Sequence, residues 1–502
     1  MTGILSALAL VAGMTVSVAG GDPVISTETG QVRGSTVSGV QAFQGIPYAA
    51  PPVGERRWRA PERAEPWQGV RDGTNPGPKC PQRGMDGVDG SEDCLSLNVW
   101  RPGAAAKNLP VLVFLHGGGM VNGAGSLYDP AKLVARGNIV VTVNYRLGAL
   151  GFLAHPQLRD PAVGNFGLAD QQAALGWVKR NVPAFGGDAR RVTVWGESAG
   201  AFSICAQLAS PTARGLFDQA IVQSGPCVND FVSRKTAYQR AAESAALIGC
   251  KDLECLRHRP FQEFVGLGER GFTADRRVAD RTWLPVAGTP MLPFQPSVAQ
   301  RLGLTIAVPT LQGVTKDETR AHVAASFDQQ GKPVTVAQYP RVLASLYGVR
   351  DTRRIVAEYP VESFPTPSLA LAQVLTDEGK LVGACSQLTA NDLMARRAPV
   401  YAYEFAEPRK GQPGEFPYGA HHGVDVQYFL GSTDPGPWTP PPLTGDQAKL
   451  SERLLDQWSA FAATGRPGWP QYRKDVVNSI STTNPGPVNL RSEHRCDFWD
   501  SL

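Results

Sequence analysis

The chain predicts an α/β fold: a mostly parallel, doubly wound central sheet with helices on both faces. Three observations carry this reading. Short runs rich in β-branched residues recur along the sequence, and segments of helical character separate most of them. No Ser/Gly tract, long charge run or repeat divides the 502 residues. Strands buried on both faces read as continuous apolar runs, as residues 111–115, 139–144, 192–195, 220–223, 306–311 and 400–405 do. Residues 168–181 and 201–208 are helical stretches between them. The Gly/Pro-rich N-terminal part alternates at 24–27 and 31–37, which predicts a small antiparallel hairpin. The intervals 228–300 and 321–395 lack strand signals and are expected to form helical excursions above the sheet. Ligands of such sheets bind outside the carboxyl ends of the strands.

Hydrophobic residues at 42% and charged residues at 19% give the balance of a globular chain with a sizeable core. A net charge of +4, with Lys and Arg not interleaved with aromatics, excludes nucleic acid as the expected partner. Residues 2–20 are apolar or small and uncharged, matching a secretory h-region with a small-residue cleavage site after Ala19 or Gly20. The absent basic n-region is a departure, and a short membrane anchor is the alternative. No other run approaches the roughly 20 apolar residues of a spanning helix. Residues 1–20 are therefore read as a signal peptide and 21–502 as a single domain.

Eight cysteines (80, 94, 205, 227, 250, 255, 385, 496) show no CxxC spacing, which argues against zinc and thioredoxin-type chemistry. In an exported chain they read as disulfides. Cys80 with Cys94 and Cys250 with Cys255 would each close a short loop. Cys205, in a helical stretch, also suits a buried thiol, and the pairing of Cys205 and Cys227 stays open.

The pentapeptide GESAG at 196–200 lies directly behind the apolar run 192–195. Gly-x-Ser-x-Gly after a strand is the form of a nucleophile elbow, where the turn is too tight for a Cβ at either glycine. Ser198 would sit strained and exposed at the N-terminus of a helix whose N–H groups favour developing negative charge. A serine hydroxyl needs a base, and the base needs a carboxylate to hold its tautomer. In the chain order Ser, acid, His, residues His116 and His155 fall too early. His258 lies among arginines and His494 in a charged tail, and both read as surface residues. His421 and His422 stand in YGAHHGVD after the strand at 400–405, and Gly423 leaves room beside His422, which is favoured. The acid lies in GVTKDE at 313–318, where chemistry alone does not separate Asp317 from Glu318. His116-Gly117-Gly118-Gly119 follows a strand and matches a loop that offers N–H donors to an oxyanion. Gly118, Gly119 and Ala199 would supply three of them. A dinucleotide loop is excluded, because Asn122 stands where the third glycine belongs.

With elbow, glycine loop, acid and histidine in place, the chain resembles the type-B carboxylesterase/lipase family, the cholinesterase-like branch of the α/β-hydrolases. The likeness runs from about residue 24 to the C-terminus. It rests on FQGIPYAAPPVGERRW (43–58), SEDCLSLNVW (91–100), VNYRLGALGF (143–152), GNFGLADQQAALGWV (164–178) and above all FGGDARRVTVWGESAG (185–200). The resemblance implies the α/β-hydrolase fold, with Glu318 as the acid and His422 as the base. It also implies disulfides Cys80–Cys94, Cys250–Cys255 and Cys385–Cys496, and structural ion pairs Arg57 with Glu92 and Arg146 with Asp170. Glu197, beside Ser198, is either a hydrogen-bonding support of the site or a buried structural carboxylate. Met120 and Thr319 depart from the residues common in the family, Phe and Gly.

The expected function is that of a secreted serine carboxylic-ester hydrolase working through an acyl-enzyme, with Ser198, Glu318 and His422 as triad. It calls for no metal and no organic cofactor. Lipase, amidase, carbamate and polyester hydrolases share this machinery, and the partner is a small or lipid-like ester. A non-catalytic binding member of the family is the alternative from another class, and the presence of all three triad residues argues against it.

Overall fold

The apolar runs do close into one twisted sheet. The computed structural model describes residues 22–103, 107–269, 283–379, 382–411, 414–432 and 441–502, so the segment 1–20 read as a signal lies outside the described residues. The sheet strands are β1 (Ser35–Val37), β2 (Val40–Pro47), β3 (Ser96–Pro102), β4 (Leu109–Leu115), β5 (Ile139–Val143), β6 (Gly187–Glu197), β7 (Gln219–Gln223), β8 (Thr310–Thr315), β9 (Val400–Phe405), β10 (Val476–Ile480) and β11 (Gly486–Asn489). Among the described residues their spatial order is β11-β10-β9-β8-β7-β6-β4-β5-β3-β2-β1. From β10 across to β5 every pairing is parallel. Antiparallel strands finish both edges.

The period of two along each strand sorts side chains into two layers. Val111, Val113 and Leu115 of β4 join Val192 and Val194 of β6 in one core. Leu112, Phe114, Trp195 and Tyr403 point into the other. The flanking helices used below are α1 (Phe166–Asn181), α2 (Ala199–Ala209), α3 (Arg320–Ser326), α4 (Pro367–Glu378) and α5 (Asp446–Thr464). On α5, Leu450, Leu454, Trp458 and Phe461 recur at spacings of three and four and lie buried against the second face. Burial of each such side chain stabilises by ~1.5–3 kcal/mol. The helix ends at Gly465, whose left-handed φ of 72° lets its N–H reach the Phe461 carbonyl at 2.7 Å.

Three local expectations change. The strand placed at 306–311 is instead Thr310–Thr315, because Pro309 has no N–H for the ladder and the apolar residues before it form the approach. The excursion at 228–300 is helical at Arg234–Leu247, Leu253–His258 and Pro296–Arg301, but also holds a two-residue parallel pairing of Val232–Ser233 with Val286–Ala287. The alternating segment 31–37 is divided: Gly30–Arg33 pairs with Val24–Thr27, while Ser35–Val37 joins the main sheet.

The structure pairs Cys80–Cys94, Cys250–Cys255 and Cys385–Cys496, and adds Cys205–Cys227. Cys205 is thus not a free thiol; its helix and the chain after β7 lie side by side. Arg57 meets Glu92 at 2.6 Å and also donates to the carbonyls of Arg257 and Arg259, just beyond the loop closed by Cys250–Cys255. Arg146 pairs with the fully buried Asp170 at 2.6 Å.

His494 is not a surface residue. It is 1% exposed and lies between Asp377 of α4 (Nδ1–Oδ1 2.6 Å) and Glu404 of β9 (Nε2–Oε1 2.7 Å). Burial alone would lower its pKa, but the hydrogen bonds to the two carboxylates outweigh it and raise the pKa to about 10. This cation ties the C-terminal tail to the sheet. His494→Gln leaves two buried carboxylates without it and should lower unfolding stability by about 3–5 kcal/mol in urea titration. Because the folded pKa is raised, the stabilisation is full below the unfolded value near 6.5 and is lost as pH rises through about 10. The stability gap between wild type and His494→Gln should therefore narrow across that window.

Candidate active site

β6 delivers GESAG to the carboxyl edge of the sheet. Ser198 has φ 55° and ψ −119°, a backbone strain of ~1–3 kcal/mol held by its surroundings. Its N–H donates to the Gln223 carbonyl at 3.0 Å, and its own carbonyl receives Phe202 N–H at 2.9 Å as the first turn of α2. The glycines are required by contact. A Cβ on Gly200 would lie 1.9 Å from the Leu115 carbonyl oxygen, and one on Gly196 would lie 2.6 Å from the Gly200 carbonyl carbon. A Cβ on Gly117 would stand 3.2 Å from Ser198 Cβ, so the loop leaving β4 passes directly beside the serine. In that loop Gly118 and Gly119 take φ of 96° and 64°.

β8 ends at Thr315, and Glu318 follows in the turn, fully buried. Its Oε1 accepts from Thr315 N–H at 2.8 Å and from the Ser224 hydroxyl. Its Oε2 lies 2.6 Å from His422 Nδ1. Asp317 points elsewhere: it accepts from Ala420 N–H at 2.8 Å and pairs with Arg320 at 2.7 Å. Asp317 N–H also donates to the Ala420 carbonyl, and His422 N–H to the Glu318 carbonyl. Asp317 and Glu318 thus bind the histidine loop by its backbone while Glu318 alone meets the imidazole.

His421 turns toward Tyr418, with ring centroids 5.5 Å apart. Burial and the nearby Arg409 charge push its pKa down to about 4. His422 Nε2 faces Glu197 Oε1 at 3.2 Å, and His322 of α3 packs its ring 5.1 Å from that of His422. Burial works against the charged form of His422, but the Glu197 and Glu318 carboxylates more than reverse this and raise its pKa. Glu197 is itself raised to about 7, chiefly by burial, although the histidine works to lower it. Asp425 lies in the same pocket of charge, raised to about 6 by burial and by Glu318. It accepts from Gln223 Nε2 at 2.6 Å and from Tyr403 Oη at 3.4 Å.

The structure therefore brings Ser198, the glycine loop, Glu197, Glu318 and His422 to one spot at the sheet edge. Ser224, Gln223, Asp425 and the clamp by Asp317 were not singled out in the sequence. Their only signal was a polar run directly after an apolar strand, QSG at 223–225, and an acid three residues beyond His422.

The Carboxylesterase family model matches residues 21–499. The chain belongs to the carboxylesterase family. This carboxylesterase is 34% identical to the para-nitrobenzyl esterase of Bacillus subtilis (strain 168) over 481 residues, covering 91% of this chain and 94% of that protein. It is 31% identical to the cocaine esterase of Homo sapiens, covering 95% of this chain and 91% of that one. Among solved structures it is similar to a PNB esterase, with TM-score 0.79, 31% identity and coverage of 95% and 100%. The fold is that of the α/β-hydrolases, and the carboxylesterase is a carboxylic ester hydrolase.

Removing the charge opposite Nε2 lowers the proton affinity of His422, because the Glu197 carboxylate holds the imidazolium. In Glu197→Gln the acid limb of kcat/KM against pH for ester hydrolysis should move to lower pH. A limb that stays at the wild-type pH would count against this coupling.

Proposed function

We propose that this carboxylesterase cleaves its esters through an acyl-enzyme on Ser198. The observation that carries the reading is the 2.6 Å contact of buried Glu318 with His422 Nδ1, beside the strained turn of Ser198. Ser198 Oγ attacks the ester carbonyl carbon while His422 Nε2 takes the hydroxyl proton. Glu318, held by Thr315 N–H and Ser224, fixes the tautomer and balances the imidazolium that forms. The oxyanion is met by the N–H groups of Gly118, Gly119 and Ala199. Neither glycine N–H has a backbone acceptor among the described residues. His422 then protonates the departing alcohol, and water repeats the sequence on the acyl-enzyme. Glu197 faces Nε2 and steadies the charged imidazole during both steps.

Carboxylic esters are the substrates of choice, because an amide nitrogen donates more strongly into the carbonyl than an ester oxygen does and an alkoxide leaves more readily than an amide anion. Lipid, carbamate and polyester substrates fall to the same machinery and differ in what the surrounding pocket admits. The apolar stretch 2–20 and four disulfides support export from the cell. Among the described residues no helix is long and apolar enough to cross a membrane.

Ser198→Ala should lower turnover of short-chain p-nitrophenyl esters by about 10⁶-fold and abolish labelling by a fluorophosphonate probe. Retention of both would overturn the mechanism. Glu318→Gln keeps the hydrogen-bonded shape but favours the wrong tautomer, and kcat should drop by about 10⁴-fold in steady-state assays.

A further inference from the structure

The glycine loop after β4 makes its turn through positive φ at Gly118, Gly119 and Met120, the last at 67°. A loop of this kind keeps its N–H groups aimed only if its two limbs are fixed. The upstream limb is held by the sheet side. Tyr145 Oη donates to the His116 carbonyl at 2.7 Å, and Gly148 N–H donates to the Met120 carbonyl at 2.7 Å. On the downstream limb, Gly125 N–H donates to Asn144 Oδ1 at 2.8 Å. Between these anchors lies Gly123, with φ 112°, so closely packed that a Cβ there would stand 2.2 Å from His116 Nδ1. Its peptide groups are met by one side chain, Gln82. Gly123 N–H donates to Gln82 Oε1 at 2.9 Å, and Gln82 Nε2 donates to the Gly123 carbonyl at 2.9 Å.

Gln82 does not belong to the sheet. It begins a short hairpin, Gln82–Gly84 with Gly87–Asp89, inside the loop closed by Cys80–Cys94. Its neighbours Arg83 to Asp89 are exposed, whereas Gln82 is 7% exposed and turned inward. Its Nε2 also donates to the Cys80 carbonyl at 3.0 Å, so the amide is held at the disulfide itself. The side chain acts as a two-point strand edge: one amide pairs donor to acceptor and acceptor to donor with a single backbone residue.

We propose that Gln82 is a positioning residue for ester hydrolysis, fixing the glycine loop so that Gly118 and Gly119 present their N–H groups to the transition state. The disulfide Cys80–Cys94 anchors the clamp from outside the sheet. The proposal rests on the oxyanion role of the loop given under the proposed function. Its physical warrant is that a donor contributes fully only when preorganised at the oxyanion's final position. A displacement of the order of 1 Å at such a site lowers rate by about 100-fold. Gln82 acts from one peptide limb away, and a smaller effect follows.

Two variants test this. Gln82→Met keeps the volume and removes both hydrogen bonds; Gln82→Glu keeps an acceptor for Gly123 N–H and removes the donor. Active sites are counted by fluorophosphonate titration, so that only folded enzyme enters kcat. The expected result for Gln82→Met is a fall in kcat of about tenfold with KM within about twofold. Affinity for an aryl trifluoromethyl ketone, which forms a tetrahedral adduct, should weaken by a similar factor, and the acid limb of the pH profile should stay in place. Gln82→Glu should fall between Gln82→Met and wild type. An unchanged kcat per active site, or a lower kcat with unchanged trifluoromethyl ketone affinity, overturns the proposal. Amide exchange of the unmodified enzyme provides a check without a variant: Gly123 N–H should exchange slowly, and exchange as fast as in the exposed 83–89 segment overturns the clamp. Ser198→Ala separates the two levels. Full activity there removes the oxyanion reading as a whole, whereas loss there with a fully active Gln82→Met removes the clamp alone.

Discussion

The contact on which the arrangement depends is the approach of Gly200 to the Leu115 carbonyl, where not even a methyl group fits. It places the start of α2 against the end of β4. In the parallel register Gly196 lies opposite Leu115, so the serine turn and the glycine loop leave the sheet side by side. A strained serine and a row of backbone N–H groups then occupy one spot without any side chain having to bridge them. The strain at Ser198 is sustained because Val192 and Val194 on one face and Trp195 on the other fix the strand that carries it.

A second constraint is charge. Glu197, Glu318 and Asp425, all buried, lie around a single imidazole. Three ionised carboxylates would repel one another strongly there, and burial raises Glu197 and Asp425 toward neutrality. Glu318 accepts from the Thr315 N–H and the Ser224 hydroxyl at the oxygen that faces away from the imidazole. The three acids differ in what they face. Glu318 faces Nδ1 and Glu197 faces Nε2 of His422, while Asp425 is held by Gln223 and Tyr403.

The excursions and the tail are joined to this centre by covalent and ionic ties. Cys385–Cys496 and the His494 cluster hold the C-terminus against β9 and α4, and Arg57, paired with Glu92, holds the backbone just after the Cys250–Cys255 loop. Cys80–Cys94 closes the loop that carries Gln82 to the glycine turn. Loops without a sheet partner keep their geometry here through cross-links rather than through a ladder of backbone bonds.

The α/β class, the tight turn at Ser198 and the glycine loop after β4 were legible in the amino-acid sequence, because each is written in neighbouring residues. Apolar runs mark buried strands, and glycines mark turns where no side chain fits. The sequence misplaced β8, where Gln312, Gly313 and Thr315 are polar or bare inside the sheet and Gly313 gives its space to the Tyr403 ring. It did not pair Cys205 with Cys227, expose the burial of His494, or reveal Ser224, Asp425 and Gln82. The choice of Glu318 over Asp317 came from resemblance, since both carboxylates stand at the end of one strand. These points became visible in the folded chain. Each depends on which backbone groups and charges arrive from segments tens to hundreds of residues away, and a one-dimensional pattern carries no record of such partners.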